Sequence, residues 1–104
     1  MKQQPFAEFA QSRDGQRLID VREADEYAEV HVAGAELHAL SRIREGDLPE
    51  FDERPVTVIC RSGGRSAMAI QIFEAAFPDL EFTNISDGTL GAIAHGDASQ
   101  LERG

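Results

Sequence analysis

Cys60 is the only cysteine of this 104-residue chain, and its surroundings give the first indication of chemistry. It ends the apolar run Val56–Cys60 and opens the loop Arg61–Ser66, after which a helix-period segment begins at Ala67. A strand that runs through a tight turn into a helix directs backbone N–H groups and the positive end of the helix dipole at one point. Because these features favour a thiolate over a thiol, the pattern predicts an activated sulfur nucleophile.

The composition of the loop distinguishes Cys60 from an inert core cysteine. A lone cysteine is more often a small buried hydrophobe, and a β-branched run followed by glycines is an ordinary strand-to-helix connection. Here, however, arginines stand one and five positions after the cysteine, and two glycines allow the backbone N–H groups to converge. With Cys60 as the catalytic candidate, the candidate substrate-binding residues are Arg61, Ser62, Gly63, Gly64, Arg65 and Ser66.

The elements that would position this loop alternate between strands and helices. The predicted strands are Arg17–Val21, Ala35–His38, Val56–Cys60 and Phe82–Ile85. The predicted helices are Pro5–Ala10, Glu23–Val30, Ala67–Phe77 and a last one around Leu90–Ala94. This alternation predicts an α/β fold, with a mostly parallel sheet of four or five strands and helices on both faces. Ligands bind beyond the carboxyl ends of such strands, which is where Cys60 lies.

The composition and the net charge of the chain limit which kinds of binding partner are expected. The net charge of −9 argues against nucleic acid and against an anionic membrane surface. Ten of the 19 acidic residues lie in positions 23–54, whereas positions 55–78 hold only Glu74, so the site is locally basic and suits a small anion. A single cysteine excludes an internal disulfide and favours the cytoplasm. No cysteine, histidine or acidic cluster has the spacing of metal ligands, so no metal is expected.

Four motifs in order along the chain suggest a family. They are Leu18–Glu23 followed by Glu26-Tyr27, His31–Ala35, Cys60–Ser66 and Asn84–Gly88. Together they make the chain resemble a single-domain rhodanese, a sulfurtransferase, most clearly over residues 18–94. The resemblance implies a three-layer rhodanese-like fold in which residues 1–104 form one domain. Residues 95–104 are a polar tail, and their composition indicates fraying.

The resemblance also implies a mechanism without a cofactor. Cys60 would attack the outer sulfur of thiosulfate or of another persulfide donor and become a persulfide. An external thiol, cyanide or an acceptor protein would then remove that sulfur. Backbone N–H groups of the loop would hold the donor's oxygens, Arg65 would buttress the loop or help to bind the anion, and Arg61 would attract it at the mouth.

Asp20 and Arg22 are candidate supporting residues at the end of the first predicted strand. Asp20 would accept hydrogen bonds from loop or helix N–H groups while paired with Arg22, or it would simply cap its own strand. Three departures from the family pattern concern other parts of the chain. The sequence contains no tryptophan and has Thr89 where a second glycine is frequent, and no first edge strand is predicted in Met1–Gln4.

Two alternative functions share the same fold. Cysteine phosphatases and arsenate reductases place arginine six positions after the cysteine, whereas Arg65 is five positions after Cys60, which leaves a smaller loop. A non-catalytic interaction module is the other alternative, since fold alone does not imply activity. The intact cysteine and both arginines favour sulfur chemistry over either alternative.

Overall fold

A five-stranded, all-parallel sheet forms the centre of the computed structural model, which describes residues 1–104. In chain order the strands are β1 (Lys2–Gln4), β2 (Arg17–Asp20), β3 (His31–Val32), β4 (Glu36–Leu37), β5 (Val56–Ile59), β6 (Phe82–Ile85) and β7 (Leu101–Glu102). The main sheet has the spatial order β1-β6-β5-β2-β4, and β3 and β7 form a separate antiparallel pair. The central strand is thus β5, which leads directly into Cys60.

Helices cover both faces of this sheet. They are α1 (Phe6–Ser12), α2 (Ala24–Glu29), α3 (Leu40–Arg44), α4 (Gly64–Ala76) and α5 (Gly88–His95), with a short 3-10 turn at Ala98–Gln100. Helices α1 and α5 contact each other on one side, and α3 contacts α4 on the other. The prediction of a three-layer α/β fold with helices on both faces is therefore confirmed. No helix is long and apolar enough to cross a membrane.

Two apolar clusters, one on each face, hold the central strand. Val56 and Val58 of β5 pack with Ile70 and Phe73 of α4, while Ile59 points to the opposite cluster. Every side chain of β5 is buried, as the continuous apolar run predicts for a strand covered on both sides. The rigid centre of the sheet therefore presents Cys60 at its carboxyl end.

The N-terminal edge of the sheet differs from the prediction. Lys2–Gln4 form a strand that pairs parallel with β6, in a register that places Gln3 opposite Asn84. The expectation that Met1–Gln4 contain no strand is wrong. These residues are polar, and Lys2 and Gln3 are exposed, so the strand is stabilised by backbone pairing with β6 and leaves no hydrophobic pattern to detect.

Several further short elements were not predicted from the sequence. Helix α3 is only five residues long, and two buried side chains, Leu40 and Ile43, attach it to the core. The polar segment after His95, which was expected to fray, contains the 3-10 turn and β7, in which Glu102 pairs with His31 of β3. These elements are too short for a periodic signal, because one turn of helix or two paired residues carry almost no pattern.

Candidate active site

The loop between β5 and α4 makes a left-handed turn at Gly63. This residue has φ 100° and ψ −13° and immediately precedes the helix. A Cβ atom at Gly63 would lie 2.5 Å from the carbonyl oxygen of Ser86, so both the conformation and the space require glycine. Gly64 has neither constraint, because it is exposed and a Cβ atom there would meet nothing within 4 Å. Only the first of the two glycines shapes the turn.

Cys60 lies at the floor of this turn with 1% of its surface exposed. Its Sγ atom accepts a hydrogen bond from the N–H of Gly63 at 3.1 Å and lies 3.3 Å from the hydroxyl oxygen of Ser66. Burial raises the pKa of the thiol, but hydrogen bonds from the Ser66 hydroxyl and from backbone N–H groups of Ser66, Ser62 and Gly63 outweigh it. The net effect is a pKa below the ordinary value, as a sulfur nucleophile requires.

The two loop arginines have different environments. Arg65 donates to both carboxylate oxygens of Glu26 on α2, at 2.7 and 2.8 Å. The hydrogen bonds from Arg65 hold the pKa of Glu26 at about 2, so the pair is fully charged at neutral pH. Arg65 thus connects the start of α4 to α2, which corresponds to the buttressing role considered from the sequence. Arg61 is exposed, and its guanidinium has no hydrogen-bond or ion-pair partner.

Asp20 and Arg22 form a buried ion pair at the end of β2. The Asp20 carboxylate accepts the backbone N–H of Arg22 at 3.0 Å and its Nη2 at 2.9 Å, and the same Nη2 donates to the carbonyl of Val30 at 2.7 Å. Neither side chain hydrogen-bonds to the Cys60 loop. Asp20 therefore pairs with Arg22 and caps the end of its own strand. It accepts no hydrogen bond from the N–H groups of the Cys60 loop.

The start of α5 holds the loop from the opposite side. Thr89 donates from its backbone N–H and from its hydroxyl to the carbonyl of Cys60, at 2.9 and 3.1 Å. Gly88, with φ 62°, lies so close to the loop that a Cβ atom would collide with the carbonyl oxygen of Arg61. In the sequence Asp87-Gly88-Thr89, Gly88 therefore allows α5 to approach the loop closely, and the Thr89 hydroxyl donates a hydrogen bond to the loop. Sequence reasoning did not assign either residue to the site.

Asn84 is another site residue that the sequence interpretation missed. It is buried in β6, and its side-chain N–H groups donate to the carbonyl of Gly63 at 3.1 Å and to Oε1 of Gln3 at 3.0 Å. Its Oδ1 atom contacts the hydroxyl of Ser66. A buried amide requires partners, so an asparagine inside an otherwise buried strand was the signal that could have revealed it.

Comparison with known proteins places this site in a family. A profile described as Rhodanese-like domain matches residues 6–91. The chain belongs to the rhodanese-like domain family. The family resemblance inferred from the four motifs is thereby confirmed, and the family includes sulfurtransferases.

Individual members of the family agree with this assignment. A rhodanese-like domain protein from Staphylococcus aureus has TM-score 0.79 at 25% identity, over 100% of this chain and 99% of that one. A thiosulfate sulfurtransferase from Pseudomonas aeruginosa has TM-score 0.73 at 25% identity, and the match covers 100% of this chain but 20% of that protein. A Bacillus subtilis protein named "Putative sulfur carrier protein YrkF" is 36% identical over 66 residues, 62% of this chain. The chain spans about a third of the length of the curated relatives it matches, 36% and 35%.

Proposed function

We propose that this rhodanese-like domain, residues 1–104, is a sulfurtransferase that carries sulfur as a persulfide on Cys60. The observation that supports it is a buried sulfur that faces N–H and hydroxyl donors at the start of α4 and has a lowered pKa. The thiolate attacks the outer sulfur of thiosulfate, forming a new S–S bond. The donor's S–S bond breaks and sulfite leaves with the electron pair, while the negative charge moves to the terminal sulfur of the persulfide.

The surrounding residues take separate roles in this proposal. Backbone N–H groups of Ser62, Gly63 and Ser66 stabilise the developing anion, in the way that preorganised donors stabilise charge in other active sites. Arg61 attracts the anionic donor, because its charge is exposed and unpaired. Arg65 holds the loop through its hydrogen bonds to Glu26. Gly64, the residue before Arg65, is the first residue of α4. The Asp20–Arg22 pair fixes the end of the neighbouring strand.

The sulfur acceptor must come from outside the domain. Cys60 is the only cysteine, so no second thiol of the chain can attack its persulfide. The acceptor is therefore an external thiol, cyanide or a thiol of another protein. The Bacillus subtilis relative is named as a sulfur carrier protein, and this name supports a protein as the acceptor. A reducing compartment such as the cytoplasm keeps the thiolate available between turnovers.

We expect reduced wild-type protein to gain the mass of one sulfur atom after exposure to thiosulfate without acceptor. The lowered pKa of Cys60 supplies the nucleophile, and the absence of a second cysteine prevents release. Cyanide or a small thiol should then restore the original mass. Intact-protein mass spectrometry measures both changes.

The same experiment separates the alternative functions. If neither thiosulfate nor an organic persulfide modifies Cys60, the domain is an interaction module. Efficient hydrolysis of an aryl phosphate without sulfur loading would instead indicate a cysteine phosphatase. Two features already oppose that outcome: the loop has one residue fewer than phosphatase loops, and the Arg65 guanidinium is engaged by Glu26.

A second prediction concerns the two arginines. Arg65→Ala should lower the rate of sulfur loading on the order of tenfold, because it breaks a bidentate pair that positions the first turn of α4. Arg61→Ala should have a smaller effect. It should raise the concentration of thiosulfate needed for half-maximal rate and leave the maximal rate unchanged. Initial rates across thiosulfate concentrations measure both.

Glu26→Ala is the matched variant for this prediction, since it breaks the same pair from the α2 side. If Arg65 acts through Glu26, the two variants should lose similar amounts of activity. Wild-type rates in Arg65→Ala, with the fold intact by circular dichroism, would remove Arg65 from the proposed mechanism.

A further inference from the structure

The hydroxyl of Ser66 has one proton and three acceptors. Its oxygen lies 3.3 Å from Sγ of Cys60 and 3.2 Å from the carbonyl oxygen of Gly63, and it contacts Oδ1 of Asn84. Ser66 is fully buried, so water does not supply a further donor from the surface. Because a hydroxyl can donate only once, these three acceptors compete for a single hydrogen bond.

The orientation of the Asn84 amide follows from its other contacts. Its Nδ2 atom lies 3.1 Å from the carbonyl oxygen of Gly63, which can only accept, and 3.0 Å from Oε1 of Gln3. Turning the amide over would place its oxygen against the Gly63 carbonyl and leave both without a donor. Oδ1 therefore faces Ser66 and must accept.

We propose, building on the sulfurtransferase function, that Asn84 is a positioning residue that competes with Cys60 for the Ser66 proton. In the thiol form, the Cys60 S–H donates to Ser66 Oγ, and the Ser66 O–H donates to Oδ1 of Asn84. When the thiol proton leaves to solvent, the Ser66 O–H rotates and donates to the thiolate, the stronger, charged acceptor. The serine proton stays on its oxygen throughout, and Asn84 loses its hydrogen bond.

Sulfur loading reverses this rotation. When Cys60 Sγ bonds to the transferred sulfur and sulfite departs, the negative charge moves to the terminal sulfur. Sγ is then a weak, neutral acceptor, so the Ser66 O–H returns to Asn84. Since a buried oxygen without a donor is unfavourable, Asn84 stabilises the thiol and the persulfide relative to the thiolate. It thereby favours the loaded state of the carrier.

The charged groups near the site do not form part of this switch. They are Arg61 and Arg65 of the loop and α4, Glu26 of α2, and the Asp20–Arg22 pair at the end of β2. None of them hydrogen-bonds to Ser66 or Asn84. Strands β1 and β6 contribute the uncharged Gln3 and Asn84, and α5 contributes the uncharged Thr89.

The test is the pKa of the Cys60 thiol in the full chain without any sulfur donor, so its result does not depend on sulfur transfer. Thiolate absorbance in the ultraviolet reports this pKa, with Cys60→Ser as the baseline. Burial raises the pKa of Tyr27, the only tyrosine, so its phenolate absorbs at higher pH. We expect Asn84→Leu, close in shape but without an acceptor, to lower the Cys60 pKa by about one unit.

Three further variants make the result specific. Ser66→Ala should raise the Cys60 pKa, and adding Asn84→Leu to Ser66→Ala should produce no further shift, since the competition acts only through the hydroxyl. Gln3→Ala is the matched control, because Gln3 contacts the amide nitrogen alone and its loss should leave the pKa unchanged. An unchanged or higher pKa in Asn84→Leu, or an equal shift with and without Ser66, would overturn the proposal. A purely structural role of Asn84 predicts an unchanged or higher Cys60 pKa in Asn84→Leu.

A measurement on the wild type keeps the proposal testable if Asn84→Leu does not fold. The nuclear magnetic resonance shift of the Asn84 side-chain amide should follow the ionisation of Cys60 in wild type. In Ser66→Ala that titration should shrink to a small through-space effect. Equal titration of the Asn84 amide in both proteins would contradict the switch.

Discussion

The Cys60→Ser variant should gain no sulfur from thiosulfate or from an organic persulfide, at any concentration that fully loads the wild type. A hydroxyl is a far poorer nucleophile toward sulfur, and the hydrogen bonds that lower the pKa of the thiol cannot bring a serine hydroxyl into the neutral range. Intact-protein mass spectrometry under identical exposure measures the loss, and cyanide should then change nothing. Transfer to cyanide should fall to the uncatalysed background.

The fold of this variant should remain intact, because the Gly63 N–H can donate to the new oxygen as it does to the sulfur, and the new hydroxyl can donate to Ser66 Oγ in place of the thiol. A thermal midpoint close to that of the wild type is the control. If Cys60→Ser kept wild-type transfer, the persulfide mechanism would be wrong, and the interaction module would be the better description of this domain.

Gly63→Ala should disable the site, whereas Gly64→Ala should leave it active. Gly63 adopts φ 100°, and its Cβ atom would lie 2.5 Å from the Ser86 carbonyl oxygen, so alanine forces the turn to move. Left-handed strain of this kind costs on the order of 1–3 kcal/mol. The displaced Gly63 N–H would no longer reach Sγ, so we expect a lower thermal midpoint, a higher Cys60 pKa and slower sulfur loading.

Gly64 is the matched control, one residue along the chain and with open space around its Cα atom. Alanine there removes backbone freedom from the unfolded chain at a helical position, so its stability should equal or slightly exceed that of the wild type. Equal sulfur-loading rates in Gly63→Ala and Gly64→Ala would show that the left-handed turn does not position the donors.

The architecture and the position of the candidate site in the fold were predictable because their causes are local. The apolar run Val56–Cys60 predicted a strand covered on both faces, and the structure buries all four residues of β5. Where such a strand leads through glycines into a helix, the cysteine must lie at the carboxyl edge of the sheet. The order of the four motifs added the family, which the match over residues 6–91 confirms.

Short and polar elements were not predictable from the same kind of evidence. Lys2–Gln4 become a strand only because β6 offers an edge to pair with, and the two-residue strands β3 and β7 depend on each other across the length of the chain. Pairing energy of this kind comes from backbone hydrogen bonds between distant segments. It leaves no periodic side-chain pattern in either partner.

The choice of Cys60 as the proposed nucleophile follows from the sequence alone, since the chain has one cysteine and its loop has the residue types that favour a thiolate. Only the tertiary structure decided how each loop residue is held. Glu26 is 39 positions from Arg65, and Asn84 is 18 positions from Ser66, yet each pair is in contact. Helices and strands are selected by neighbouring residues, whereas the partner of a side chain is set by which elements the packed sheet and helices bring together.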